Sequence, residues 1–162
     1  MKLASTQTAK FKQSKNLENL IISAYLHDTL EDTEATYYDL VEKFGPQVAS
    51  IVLELTTDID FKKELGKTKY LEIKMKNMSS WALVIKLCDR LDNVSDLINA
   101  DETFKDKYIK ETLEIISYLV KNRQLSNTQI TIIKDILKAL SNVENNELIN
   151  EINKIKEKVK TD

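Results

Sequence analysis

Apolar residues recur at helical spacing along most of the chain, and the places where the rhythm stops divide it into short segments. Asn16 precedes Leu17, Leu20, Ile21 and Ala24, an apolar stripe behind a residue suited to an N-cap, so the first clear helix begins there. It delivers His27 and Asp28 at its C-terminal end. Thr36 with Asp39 three residues on has the form of a capping box opening a short helix that carries Leu40, Val41 and Phe44 and stops at Gly45. Pro46 suits the first turn of the next helix, which turns Val48, Ile51, Val52 and Leu55 inward. The stretch "TDIDFKKELG", residues 57–66, loses the period and reads as an exposed loop, and "KTKYLEIKMKNM" after it reads as a basic amphipathic helix. Helices are expected from about Ser80 to Ile98, Phe104 to Asn122, Ser126 to about Asn142, and Glu147 to Lys160, with Ser126 and Gln129 forming a second capping-box pattern.

Composition narrows the fold class. Two glycines and one proline in 162 residues leave little material for tight turns, which favours an all-α chain. The length suits one domain, taken as residues 1–145, with a C-terminal amphipathic helix over 146–162. In that tail Leu148, Ile152, Ile155 and Val159 form a stripe that packs on its own domain or on another chain, a route to an oligomer.

Charge excludes some partners. Lys plus Arg number 24 against 26 Asp plus Glu, a net charge of −2, so there is no basic excess to neutralise a nucleic-acid backbone. The longest apolar run, Trp81 to Ile85, is far short of a membrane span, and "MKLASTQTAKFK" lacks the apolar region of a signal peptide. The single cysteine, Cys88, offers no internal disulfide. The expectation is a soluble, cytoplasmic protein.

The chemistry gathers in two stretches. On a helical wheel of "SWALVIKLCDRLDNVSDLI", Lys86, Asp89, Arg90 and Asn93 stand at i, i+3, i+4 and i+7, a narrow polar stripe on a mostly apolar helix. Either the stripe borders a polar site or Lys86 and Asp89 form a structural ion pair on a solvated face. Cys88 lies off the stripe and reads as a packed, inert thiol. In "AYLHDTLEDT" the only histidine, His27, is followed at once by Asp28, and Glu31 and Asp32 follow the two by four residues, returning to the same two faces of a regular helix. Imidazole with carboxylate oxygens suits Mn, Fe, Zn or Mg, not a thiolate-preferring ion.

"AYLHDTLEDT", "FGPQVASIV", "IKLCDRLDNVSDL" and "KYIKETLEIISYLV" resemble, in that order, stretches of the HD-domain hydrolases of the RelA/SpoT type, which remove the 3′-pyrophosphate from (p)ppGpp. The resemblance spans roughly residues 17–140 and implies an HD-domain helical bundle around one metal, usually Mn2+ in that family. It implies that His27, Asp28 and Asp89 are the metal ligands, and that Glu31 and Asp32 position and deprotonate the attacking water. It implies too that Lys86, Arg90 and Asn93 face the nucleotide. One element departs from the family, whose first ligand is another histidine in a His-Pro pair about two dozen residues before the HD pair, behind a basic glycine-containing loop. Counted back from His27, that histidine falls at or just before Met1, and the sequence holds no second one. A phosphohydrolase weakened by three protein ligands in place of four is the first reading. A non-catalytic relative that binds a nucleotide or a protein partner is the second, and a purely structural bundle whose tail pairs with a partner is the third.

Overall fold

The computed structural model describes residues 15–143 and 146–160, apart from the side chains of residues 15, 146–149 and 160. Residues 1–14 of the polar N-terminal stretch, and the side chain of Leu148 in the tail stripe, therefore lie outside what is described. Among the described residues all regular structure is helical and there is no strand. The chain forms two compact units that meet at the bond between Thr57 and Asp58.

The first unit contains α1 (Lys15–Tyr25), α2 (Thr29–Asp32), α3 (Tyr37–Phe44) and α4 (Pro46–Leu55). Thr36 and Asp39 close a reciprocal capping box at the start of α3: the Asp39 amide donates to Thr36 Oγ1 at 3.3 Å and the Thr36 amide to Asp39 Oδ2 at 2.8 Å. Gly45, at φ 88°, ends α3 in a backbone conformation that side chains disfavour, and Pro46 at once opens α4. Leu40, Val48, Ala49 and Val52 are buried, with Ile22, Leu26, Leu30, Tyr37 and Val41 packed around them.

The second unit contains α5 (Ile59–Leu65), α6 (Lys67–Asn77), α7 (Ser80–Asp96), a 3-10 turn at Leu97–Asn99, α8 (Glu102–Asn122), α9 (Asn127–Ser141) and α10 (Asn146–Lys160). α7 packs on α9, α6 on α8, and α10 on both α8 and α9. Leu83 and Leu87 of α7, Leu113 and Leu119 of α8, and Ile133 and Ile136 of α9 are fully buried. The described part of the tail stripe, Ile152, Ile155 and Val159, is buried as well. α9 opens on the Ser126/Gln129 capping box, and Gln129 Nε2 also donates to the Ser80 carbonyl and hydroxyl, both at 3.1 Å, so one side chain fastens the starts of α9 and α7. At the far end of α8, Arg123 Nη1 donates to the carbonyls of Met75, Lys76 and Met78 at 2.7–2.9 Å.

Residues 57–66 are not the expected loop. Asp58 caps a seven-residue helix by accepting from the Phe61 amide at 3.0 Å, and Gly66, at φ 79°, ends it. α5 lacks an apolar stripe because Ile59 and Phe61 are exposed; what holds it is the cap and the edge-on contact of Phe61 with the Tyr70 ring. α8 also begins two residues before Phe104, because Asp101 accepts from the amides of Thr103 and Phe104.

Candidate functional site

Each unit carries part of the expected chemistry. In the first, α1 stops at Tyr25, two residues short of His27. His27 Nδ1 lies 2.8 Å from the Ala24 carbonyl, the acceptor that a continuing helix would offer to the amide of Asp28. The imidazole thus competes with the backbone, and residues 26–28 form a turn. Asp28 becomes the N-cap of α2, its carbonyl accepting from the amides of Glu31 and Asp32 at 3.0 and 2.9 Å. The continuous helix on which Glu31 and Asp32 were placed relative to His27 and Asp28 is therefore two pieces joined by a turn. Glu31 Oε1 accepts from the Thr57 amide at 2.6 Å, while Asp32 is exposed and its carboxylate makes no side-chain hydrogen bond among the described residues.

The His27 tautomer follows from its neighbours. A carbonyl only accepts, so Nδ1 carries a hydrogen, and in the neutral ring Nε2 is left with a lone pair. That atom lies 2.8 Å from Asp28 Oδ2. Two acceptors at this separation repel unless a second ring proton or a cation joins them. An Nδ1 held on a backbone carbonyl leaves Nε2 as the ring nitrogen available to a metal or to a proton shared with Asp28. This pair therefore fits a divalent ion of the harder or borderline class. Within neither unit do three His, Cys, Asp or Glu side chains of the described residues gather into a metal-binding group.

In the second unit, α7 presents Lys86, Asp89 and Asn93 together. Lys86 Nζ donates to Asp89 Oδ2 at 2.9 Å and Asn93 Nδ2 to Asp89 Oδ1 at 3.1 Å, so each carboxylate oxygen has one partner and a lone pair to spare. Arg90 leaves this stripe: it is buried, and its Nη1 donates to Glu111 Oε1 at 2.9 Å and Thr112 Oγ1 at 3.1 Å. Glu111, also buried, takes a second cation on its other oxygen, Lys67 Nζ at 3.1 Å. The guanidinium of Arg90 sits 4.7 Å from the Tyr108 ring centre, and Phe104 stacks on the same ring at 5.8 Å.

Glu111, Tyr108 and Lys67 were not singled out from the sequence. The available signal was a carboxylate in the inward register of "KYIKETLEIISYLV", where an unpaired charge would be costly. Burial raises the Tyr108 phenol above its ordinary value; Arg90 opposes this, Asp89 and Glu111 add to it, and nearby Asn93 opposes it. Burial, with Asp92 and Asp89 nearby, pushes the Cys88 thiol up to about 11, which suits a packed group and not a nucleophile.

A family model described as HD domain matches residues 4–124. The guanosine-3′,5′-bis(diphosphate) 3′-pyrophosphohydrolase of Aquifex aeolicus is 40% identical over 108 residues, covering 61% of this chain and 14% of that protein. The Drosophila melanogaster protein of the same name, MESH1, is 41% identical over 80 residues, covering 49% of this chain and 44% of the relative. Human MESH1 is 34% identical over 109 residues, with 67% and 60% covered. The chain thus spans less than two thirds of the length of each of these relatives. No solved structure matches the chain significantly.

Proposed function

Since this chain belongs to the HD-domain family, as the match over residues 4–124 shows, we propose that it is a metal-dependent phosphohydrolase that releases pyrophosphate from the 3′ position of (p)ppGpp. The observation that carries the proposal is the His27–Asp28 pair, with Nδ1 against the Ala24 carbonyl at 2.8 Å and Nε2 2.8 Å from Asp28 Oδ2. The names of the relatives supply the substrate class. His27, Asp28 and Asp89 are assigned as ligands of one divalent ion, with Mn2+ proposed. When bound, such an ion supplies positive charge that polarises a phosphoryl oxygen.

The chain's own residues do the rest. Asp32, exposed and without a side-chain partner, takes the proton of the attacking water, and Glu31, held by the Thr57 amide, orients that water. Water adds to the phosphorus as the bond to the ribose 3′-oxygen breaks, leaving a 3′-hydroxyl and pyrophosphate. Lys86 and the carbonyl end of Asn93 face the nucleotide, and Arg90 supports them from its buried place on Glu111. The setting proposed is the cytoplasm, supported by the single Cys88; among the described residues no helix is long and apolar enough to cross a membrane. His27 is the only imidazole in this sequence, so metal binding is expected to be weak and to need Mn2+ in excess.

The test is pyrophosphate release from ppGpp with and without millimolar Mn2+. Slow, Mn2+-dependent turnover that Asp89→Ala abolishes is expected; no turnover at any Mn2+ concentration sinks the enzyme reading. One observation favours the alternative of a non-catalytic nucleotide-binding relative: the Lys86 ammonium already neutralises Asp89. Nucleotide binding that is indifferent to Mn2+ and lost in Lys86→Ala would decide for it.

A further inference from the structure

Three flat groups lie in succession from the buried Arg90 to the surface. The Arg90 guanidinium, held by Glu111 and Thr112, is 4.7 Å from the centre of the Tyr108 ring, and the Phe104 ring is 5.8 Å from that centre with its plane tilted by only 23°. The series ends in water, for Phe104 is 55% exposed. Burial does not hold this ring in place. Asp101 Oδ1 accepts from the Phe104 amide at 3.2 Å, which fixes the residue in the first turn of α8, and Tyr108, four residues on, supports the ring. With Tyr108 against it on one side, the rest of the phenyl surface is open to another flat group. Lys67 indicates which kind. Its ammonium is half-exposed, lies 5.7 Å from the centre of the same Tyr108 ring, and uses one hydrogen on Glu111 Oε2 at 3.1 Å, which leaves two to donate. Glu111 offers one negative charge to the two positive charges of Arg90 and Lys67, so positive charge is left over beside the rings. An aromatic side chain of a protein partner would answer only the open ring; a base joined to phosphate answers the ring and the cation together.

We infer that Phe104 is the platform on which the base of the nucleotide stacks, with the Lys67 ammonium donating to its 5′-phosphates. Arg90 follows Asp89 directly on α7, so the series of rings begins one residue from the proposed site. The inference rests on the reading of the ligand as a guanosine nucleotide. Every base has a π-face, so Phe104 contributes affinity for a base and does not select guanine.

The test is calorimetric titration of the full chain with two probes: GDP, which has a base and a 5′-diphosphate but no 3′-diphosphate to be cleaved, and inorganic pyrophosphate, which has no base. In Phe104→Ala the GDP dissociation constant is expected to rise about fivefold to a hundredfold, the range that loss of one base–aromatic stack produces. Phe104→Trp, which restores a flat ring, should stay within about twofold of the parent. Pyrophosphate affinity should be the same in all three proteins, and their melting temperatures should agree within about 2 °C because the side chain is exposed. Unchanged GDP affinity in Phe104→Ala, or an equal loss for pyrophosphate, overturns the inference alone, as does a parent that binds ppGpp but not millimolar GDP. A parent that binds neither nucleotide overturns the nucleotide reading and this inference together.

Discussion

The two units hold their polar residues in opposite ways. In the first, the chemistry sits where a helix breaks: His27 is partly exposed, Asp28 is 57% exposed, and His27 Nε2 lies 2.8 Å from Asp28 Oδ2. In the second it sits on an unbroken seventeen-residue helix, with Asp89 held by Lys86 and Asn93, and Arg90 held by Glu111 and Thr112; among the described residues no buried side-chain polar atom lacks a partner. The first is exposed and held by few partners; the second is held by buried or half-buried partners on two helices. Substitutions in the first should therefore cost function with little loss of stability, and those in the second should cost stability first.

The sharpest way to test that contrast is Asp32→Asn. Loss of a general base is expected to lower kcat by about 10²–10⁴-fold while the melting temperature stays put, because the side chain is exposed and unbonded. A large fall in melting temperature would break the comparison. Glu111→Ala is the counterpart in the second unit. It leaves Arg90 buried without its carboxylate, at a cost of about 3–5 kcal/mol in urea denaturation. A loss under about 1 kcal/mol would show the network to be as loose as the first unit's pair.

Cys88 offers a gentler probe of the second unit. With its thiol raised from 9.0 to about 11, the thiolate is roughly a hundredfold scarcer in the folded chain, and labelling at pH 8 should be slower by about that factor than after unfolding. The sign for stability follows: the contribution is full below pH 9.0 and is lost as pH rises toward 11. Equal labelling rates in folded and unfolded protein would contradict it. The smallest effect is Ser126→Ala, which removes one half of a capping box and should cost about 1 kcal/mol by urea denaturation.

Local rules made much of this legible. Both capping boxes, the Gly45–Pro46 junction and the inward faces of α4 and α7 are properties of neighbouring residues, and the sequence pattern carries them. Features decided by competition or by distant partners were not legible. α5 was missed because its stability comes from Asp58 and from Phe61 on Tyr70 instead of an apolar stripe. The break after Tyr25 turns on one imidazole taking the Ala24 carbonyl, which periodicity does not record. Arg90 shared the polar stripe with Lys86, Asp89 and Asn93, yet Glu111, twenty-one residues on, draws it into the core. For the metal, the sequence supplied ligand types, and the contact of His27 Nδ1 with the Ala24 carbonyl needed coordinates.

Arg123 has a bearing on how the second unit opens. Its single Nη1 gathers the carbonyls of Met75, Lys76 and Met78, more than forty residues away in sequence, at the end of α6 where helices ordinarily fray. The last turn of α6 is thereby closed by another helix's side chain, and it can loosen only when α8 lets go. In hydrogen exchange, the amides of Asn77 and Met78 should be protected along with the core of α8, and Arg123→Ala should return them to the fast exchange of a free helix end.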